Sequence, residues 1–316
     1  MNIINTDFIK LLNNEYQITT EIEDFEKFEK MNVQYYFYRH FKNKNYKFST
    51  QIEQKVKQNL FKNILYLDFK NYFEQKLKEN NIKYFFYKGI YTMDKIYQNI
   101  SDRYICDIDV LIDENDIEKL NNIKFTKFDE NLFFEKHSCE EAVYIEYKGN
   151  VFGVDLHKSF VPKDKFNIIY DDFLFAGSIE IHLITLIIQC SNDVFVNVEQ
   201  KLLDIYLILK KYNIDFDSVF KLAELYKIKK ITYLTFYLMN KYFNFEINLQ
   251  KINLNGFEKK ILENMFVTNI FRINQLVLFF YTFDSIKDYI KFIKSKLSYI
   301  KKNGFNEVLL SLKKIK

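Results

Sequence analysis

Along the chain, apolar residues first recur at helical spacing. Residues 56–78 carry Leu60, Ile64, Phe69, Phe73 and Leu77 four or five positions apart among Lys, Asn and Glu, which predicts an amphipathic helix. Asn80-Asn81 ends that pattern. A short aromatic run at 84–87 reads as a buried strand, closed by Lys88-Gly89. Ile90, Met93, Ile96, Tyr97 and Ile100 then return to three- and four-residue spacing and predict a helix. Residues 105–113 alternate, with Cys106, Ile108, Val110 and Ile112 on one face, as a half-buried strand does. A short helix is expected at 116–120. Strands at 142–147 and 151–157 flank Lys148-Gly149-Asn150, a hairpin turn.

After Pro162 the alternation stops. Residues 179–190, 199–212, 217–227, 229–243, 257–266, 270–283 and 285–300 all follow helical periodicity. The pattern predicts an α+β chain in three parts: a helical N-terminal segment (1–80), a mixed-sheet α/β core (81–164) and an all-helical domain (165–316).

Composition narrows the function classes. Of 316 residues, 48% are hydrophobic and 28% charged, so the chain folds rather than staying disordered. The abundance of Asn, Lys, Ile, Phe and Tyr looks like a coding bias, so aromatic clusters are read as core. A net charge of +4 neither requires nor excludes a polyanionic partner. Acidic residues gather before residue 30, and lysines gather at the other end (Lys287, Lys291, Lys294, Lys296, Lys301, Lys302). Cys106, Cys139 and Cys190 are scattered and odd in number, against a disulfide framework or a zinc site. The apolar runs are too short to span a bilayer. A soluble cytoplasmic protein without a membrane partner is expected.

The chemistry lies in two strands that place acids where a core wants apolar groups. Asp107 and Asp109, two apart, project from one face, with Cα atoms roughly 7 Å apart. In 151–157, Phe152, Val154 and Leu156 share one face, and Gly153, Asp155 and His157 the other. If the two strands are neighbours, three carboxylates converge, and such a cluster repels itself unless cations bind. Hard oxygen ligands suit Mg²⁺ or Mn²⁺, and a pair of such ions about 4 Å apart serves phosphoryl and nucleotidyl transfer. Asp215-Phe216-Asp217 has the same spacing but precedes a helix, where an Asp acts as a cap. Lys88-Gly89 opens a helix whose free N–H groups attract phosphate. Arg103 has the reach to grip a phosphate or to pair with a carboxylate. His182, on an apolar helix, reads as a core histidine, and Asp204 as a buried acid needing a partner, with His182 the expected one.

Lys88-Gly89, Arg103, the run Asp107-Ile108-Asp109-Val110-Leu111 and Val154-Asp155-Leu156-His157 together resemble the signature of the bacterial uncharacterised nucleotidyltransferase family, within the DNA polymerase β-like superfamily. The resemblance covers roughly residues 60–245, including Leu202-Leu203-Asp204 on a later helix. It implies metal binding by Asp107, Asp109 and Asp155, with His157 beside the attacking group. Nucleotide binding is implied for Lys88, Gly89 and Arg103. The expected reaction is Mg²⁺-dependent transfer of a nucleoside monophosphate from an NTP such as ATP to a small molecule, a protein or RNA. Ile90 departs from the superfamily pattern, where a second Gly or Ser often follows the motif Gly. Two other readings remain open: a toxin or phage-defence enzyme modifying tRNA through its basic C-terminal helices, and a nucleotide-binding scaffold without turnover.

Overall fold

A computed structural model of the chain describes residues 4–123, 140–160, 168–192, 198–265, 283–290 and 294. The C-terminal lysines other than Lys287 and Lys294, the helix expected at 270–283, His137 and Cys139 lie outside the described residues.

The architecture is mixed α+β. Three short helices, α1 (Thr6–Leu12), α2 (Glu21–Glu29) and α3 (Gln34–Lys42), lead into the long α4 (Thr50–Glu79). The central section runs β1 (Tyr84–Phe86), α5 (Lys88–Lys95), β2 (Ile108–Ile112), β3 (Glu140–Tyr147) and β4 (Asn150–His157), with a 3₁₀ segment at Glu114–Asn122. The helices α6 (Asp172–Phe175), α7 (Ile179–Asn192), α8 (Glu199–Lys211), α9 (Phe216–Leu225), α10 (Lys229–Phe243) and α11 (Gly256–Met265) follow. Among the described residues, no helix is long and apolar enough to cross a membrane.

The sheet order is β1-β2-β4-β3. Strands β1 and β2 are antiparallel, β2 and β4 parallel, and β4 and β3 an antiparallel hairpin. The hairpin turns through Lys148 and Gly149, both with positive φ (50° and 75°), as a two-residue turn matched to strand twist requires.

One sheet face packs on α4. Phe152 stacks on Phe69 with ring centroids 4.3 Å apart, and Ile108, Val110, Val143, Ile145, Val154 and Leu156 join Phe73, Leu77, Ile90 and Met93 in the same core. Ile90 is fully buried there, so the residue after the motif Gly faces the core. The other sheet face offers Phe85, Tyr87 and Leu111 to a second core, which runs through α1–α3 and α7–α10. N-terminal and C-terminal helices thus share one apolar interior.

Local departures from the periodic reading have physical causes. Helix α4 begins earlier than expected, and its first half buries Ile52, Val56, Asn59 and Asn63, while Ile64 is 45% exposed. The two amides are buried because they serve backbone. Asn59 Nδ2 donates to the carbonyls of Ser101 (2.8 Å) and Arg103 (3.1 Å), and Asn63 Nδ2 donates to those of Ile100 and Arg103. Strand β2 is shorter than the alternating run: the chain leading into it is held by side chains of α4, with Tyr66 Oη donating to the Cys106 carbonyl at 2.6 Å. Asp215 does cap α9, accepting from the N–H groups of Asp217 and Ser218.

Candidate active site

Parallel pairing of β2 with β4 brings the two acidic strands together. The register sets Asp109 directly opposite Asp155 and Leu111 opposite His157. Since side chains alternate between faces, Asp109, Asp155 and His157 emerge on the same side. Their ligand atoms all lie within 4.8 Å of one another. Asp109 is 5% exposed and His157 2% exposed, whereas Asp155 is half-buried.

Asp109 is the hub of the cluster. His157 Nε2 lies 3.0 Å from its Oδ1, and the Lys88 ammonium contacts the same oxygen. Burial works to raise the Asp109 carboxyl, but Lys88 and His157 outweigh it and hold the group below its usual range. Lys88 is aimed there by an uncommon backbone: its φ is 55°, in the left-handed region that a Cβ disfavours. The other imidazole nitrogen, Nδ1, lies 3.5 Å from Glu140 Oε2.

Asp155 has the opposite balance. Among the described residues its carboxylate has no hydrogen-bond partner, and burial, with Asp109 and Asp107 nearby, pushes it up to about 6. Asp107 lies one residue before β2, half-buried, with Cys106 Sγ 3.4 Å from its Oδ2. Burial, then the charge of Asp109, raises it too. Asp107 therefore stands just outside the three-residue group, and His157 stands inside it.

These residues fit a hard divalent cation. Among the described residues, Asp107, Asp109 and Asp155 feel one another's charge against the Lys88 ammonium, the His157 imidazole and the Arg103 guanidinium. Asp109, Asp155 and His157 offer ligand atoms to one point, and Asp107, which feels the charge of Asp109, stands outside that group.

Arg103 has a different occupation from the phosphate grip implied by the resemblance. Its side chain is buried in the helical layer, where Nε lies 3.0 Å and Nη2 2.8 Å from the Asp204 carboxylate. Nη1 donates to the Tyr104 carbonyl at 3.1 Å. Tyr97 donates to Asp204 as well, at 2.8 Å. The carboxylate, one of the two partners the sequence left open, is the one Arg103 has, because a fully buried Asp204 needs charge and donors at once. Asp204 consequently does not pair with His182, which stacks instead on Tyr91 and lies against Phe85.

Arg103 also explains the motif glycine. A Cβ on Gly89 would stand 2.6 Å from Arg103 Nη1 and 3.3 Å from Ile105 Cγ2. The bare backbone lets the start of α5 seat against the guanidinium, which positions Lys88 over Asp109. Asn59 and Asn63 were missed from the sequence, although their signal was present: two amides at the buried spacing of an amphipathic stripe.

A family model described as an uncharacterised nucleotidyltransferase matches residues 29–244. No curated protein and no solved structure matches the chain. The matched span includes α3 through α10 and every residue of the cluster; the chain belongs to that family.

Proposed function

We propose that this chain, as a member of the uncharacterised nucleotidyltransferase family, transfers a nucleoside monophosphate from an NTP to an acceptor hydroxyl or amine. The observation that carries the reading is the parallel register that sets Asp109 opposite Asp155, with Lys88 and His157 converging on Asp109.

Asp107, Asp109 and Asp155 would hold Mg²⁺ or Mn²⁺. When bound, the cation supplies charge to neutralise the triphosphate and to acidify the acceptor. Lys88 and the N–H groups at the start of α5 receive the phosphates on the β1 side of the cluster. The acceptor approaches from the Asp155 side. Its oxygen or nitrogen forms a bond to the α-phosphorus, the bond from that phosphorus to the bridging oxygen breaks, and pyrophosphate leaves. The acceptor proton passes to Asp155, the carboxylate of the cluster that has no hydrogen-bond partner among the described residues. His157 holds Asp109 through Nε2 and turns Nδ1 towards the acceptor side.

Incubation with each α-labelled NTP, Mg²⁺ and a small-molecule extract, with tRNA in a parallel reaction, tests this. Divalent-dependent label transfer and pyrophosphate release are expected from the wild type, and neither from Asp109→Asn. Transfer that persists in Asp109→Asn, or in chelator, overturns the reading.

A further inference from the structure

Lys88 and Arg103 both lend positive charge to the cluster, and they are held in different ways. Arg103 is fixed, with Nε and Nη2 on the Asp204 carboxylate and Nη1 on the Tyr104 carbonyl. Lys88 is held at one point. Among the described residues its ammonium pairs with the Asp109 carboxylate alone, and its Nζ lies 5.1 Å from the centroid of the Tyr87 ring. The Lys88 side chain is 27% exposed, so it meets solvent where Asp109 does not. A forked guanidinium is pre-organised and stays where it is bound, whereas an ammonium on a four-carbon stem is a point charge free to turn to a stronger anion.

Backbone geometry sets the root of that stem. The Tyr87 N–H donates to the Asp109 carbonyl at 3.3 Å, and Lys88 follows at φ 55° as the first residue of α5. Asp109 lies to one side of this root. To the other lie the N–H groups that open α5, which attract phosphate. The Lys88 charge is felt by Asp107 and Asp155 as well as by Asp109. It stands on the carboxylate that a dication needs most. Two cations at one nearly buried carboxylate repel strongly, because little water screens them. Lys88 and a divalent cation therefore compete for Asp109, whichever of its oxygens the cation takes.

We infer that Lys88 is a displaceable counter-ion that keeps the divalent affinity of the cluster low until a nucleotide arrives, when the triphosphate draws the ammonium off Asp109 and frees that carboxylate. The inference rests on the nucleotidyl-transfer reading and adds how loading of the same site is regulated. One side chain opposes the cation and attracts the nucleotide, so each ligand raises the affinity of the other by the same factor.

Calorimetry on the full chain tests this with Mn²⁺ alone as the probe, on the wild type, Lys88→Met and Lys88→Gly. The glycine suits the positive φ and guards against a first variant that misfolds; circular dichroism identifies the folded ones. Both variants are expected to bind Mn²⁺ about fivefold or more tightly than the wild type, as couplings between two ligands commonly are. With Mg²⁺ saturating, both should bind a non-hydrolysable ATP analogue about fivefold or more weakly, since a charged hydrogen bond to phosphate is lost. Lys148→Met, which removes a lysine paired with Asp68 at the hairpin turn, should change neither affinity. Mn²⁺ affinity that is unchanged or lower in a folded Lys88 variant, or that rises equally in Lys148→Met, overturns the inference. An analogue affinity indifferent to Lys88 overturns it too. Asp109→Asn is measured alongside. If it binds Mn²⁺ and the analogue as the wild type does, the underlying reading falls; if Asp109 is needed for both while the Lys88 variants fail to tighten Mn²⁺, only the counter-ion role falls.

Discussion

Arg103 and Gly89 lie so close that no side chain fits between them: Nη1 of the arginine is 2.6 Å from where a Cβ on the glycine would stand. Arg103 cannot swing aside, because Asp204 holds Nε and Nη2 and the Tyr104 carbonyl holds Nη1. Gly89→Ala should therefore shift the start of α5 and cost about 1–3 kcal/mol, as overpacking does. Chemical denaturation measures the cost, and NTP affinity should fall with it, since Lys88 precedes the displaced residue. A stable Gly89→Ala with unchanged NTP affinity would refute the packing argument.

Asp204→Asn leaves the Arg103 guanidinium buried with a weaker partner, and Arg103→Met leaves the Asp204 carboxylate with Tyr97 as its hydrogen-bond donor among the described residues. Breaking a buried pair from one side typically costs about 3–5 kcal/mol. The double change Arg103→Met/Asp204→Leu should recover much of that loss, because neither charge then remains to be solvated. Urea midpoints of the three variants provide the comparison. Double-variant stability below both singles would contradict it.

Mg²⁺ or Mn²⁺ should raise the melting temperature of the wild type, since a ligand that binds only the folded chain stabilises it. Asp109→Asn should lose most of that increment, and Asp155→Asn should lose a large part. Differential scanning calorimetry with and without the cation reads both. An equal increment in all three proteins would place the cation elsewhere.

The cluster also makes a pH signature. Asp155 sits at about 6 in the fold against an ordinary 3.8, so the folded chain holds that proton more tightly than the unfolded one. Stability from this group is therefore full at low pH and is lost as pH rises from about 4 to about 6. A divalent cation competes with the same proton, so its apparent affinity should increase through that window. Asp155→Asn should flatten both trends. Metal titrations from pH 5 to 7 follow the second, and an affinity indifferent to pH would count against Asp155 as a ligand.

Much of the fold was legible in the chain because local periodicity carried it. Alternation marked β2 and β4, three- and four-residue spacing marked α7 to α10, and Lys148-Gly149-Asn150 marked the hairpin. The acidic positions of Asp109 and Asp155 on otherwise apolar strands singled out the candidate site for the same reason: a carboxylate where the strand's pattern needs burial stands out without any knowledge of its neighbours. What spacing could not give were relationships between residues far apart in sequence. Tertiary structure decided that β4 lies parallel to β2, and so that Asp155 meets Asp109 while His157 joins the group and Asp107 stands beside it. It decided that Arg103 spends its guanidinium on Asp204, 101 positions away, and that Asn59 and Asn63 fix the chain that leads into β2. Sequence patterns record which groups must leave water, a property each residue carries by itself. Which partner a buried charge or amide then finds depends on how distant segments pack, and only the folded chain settles that.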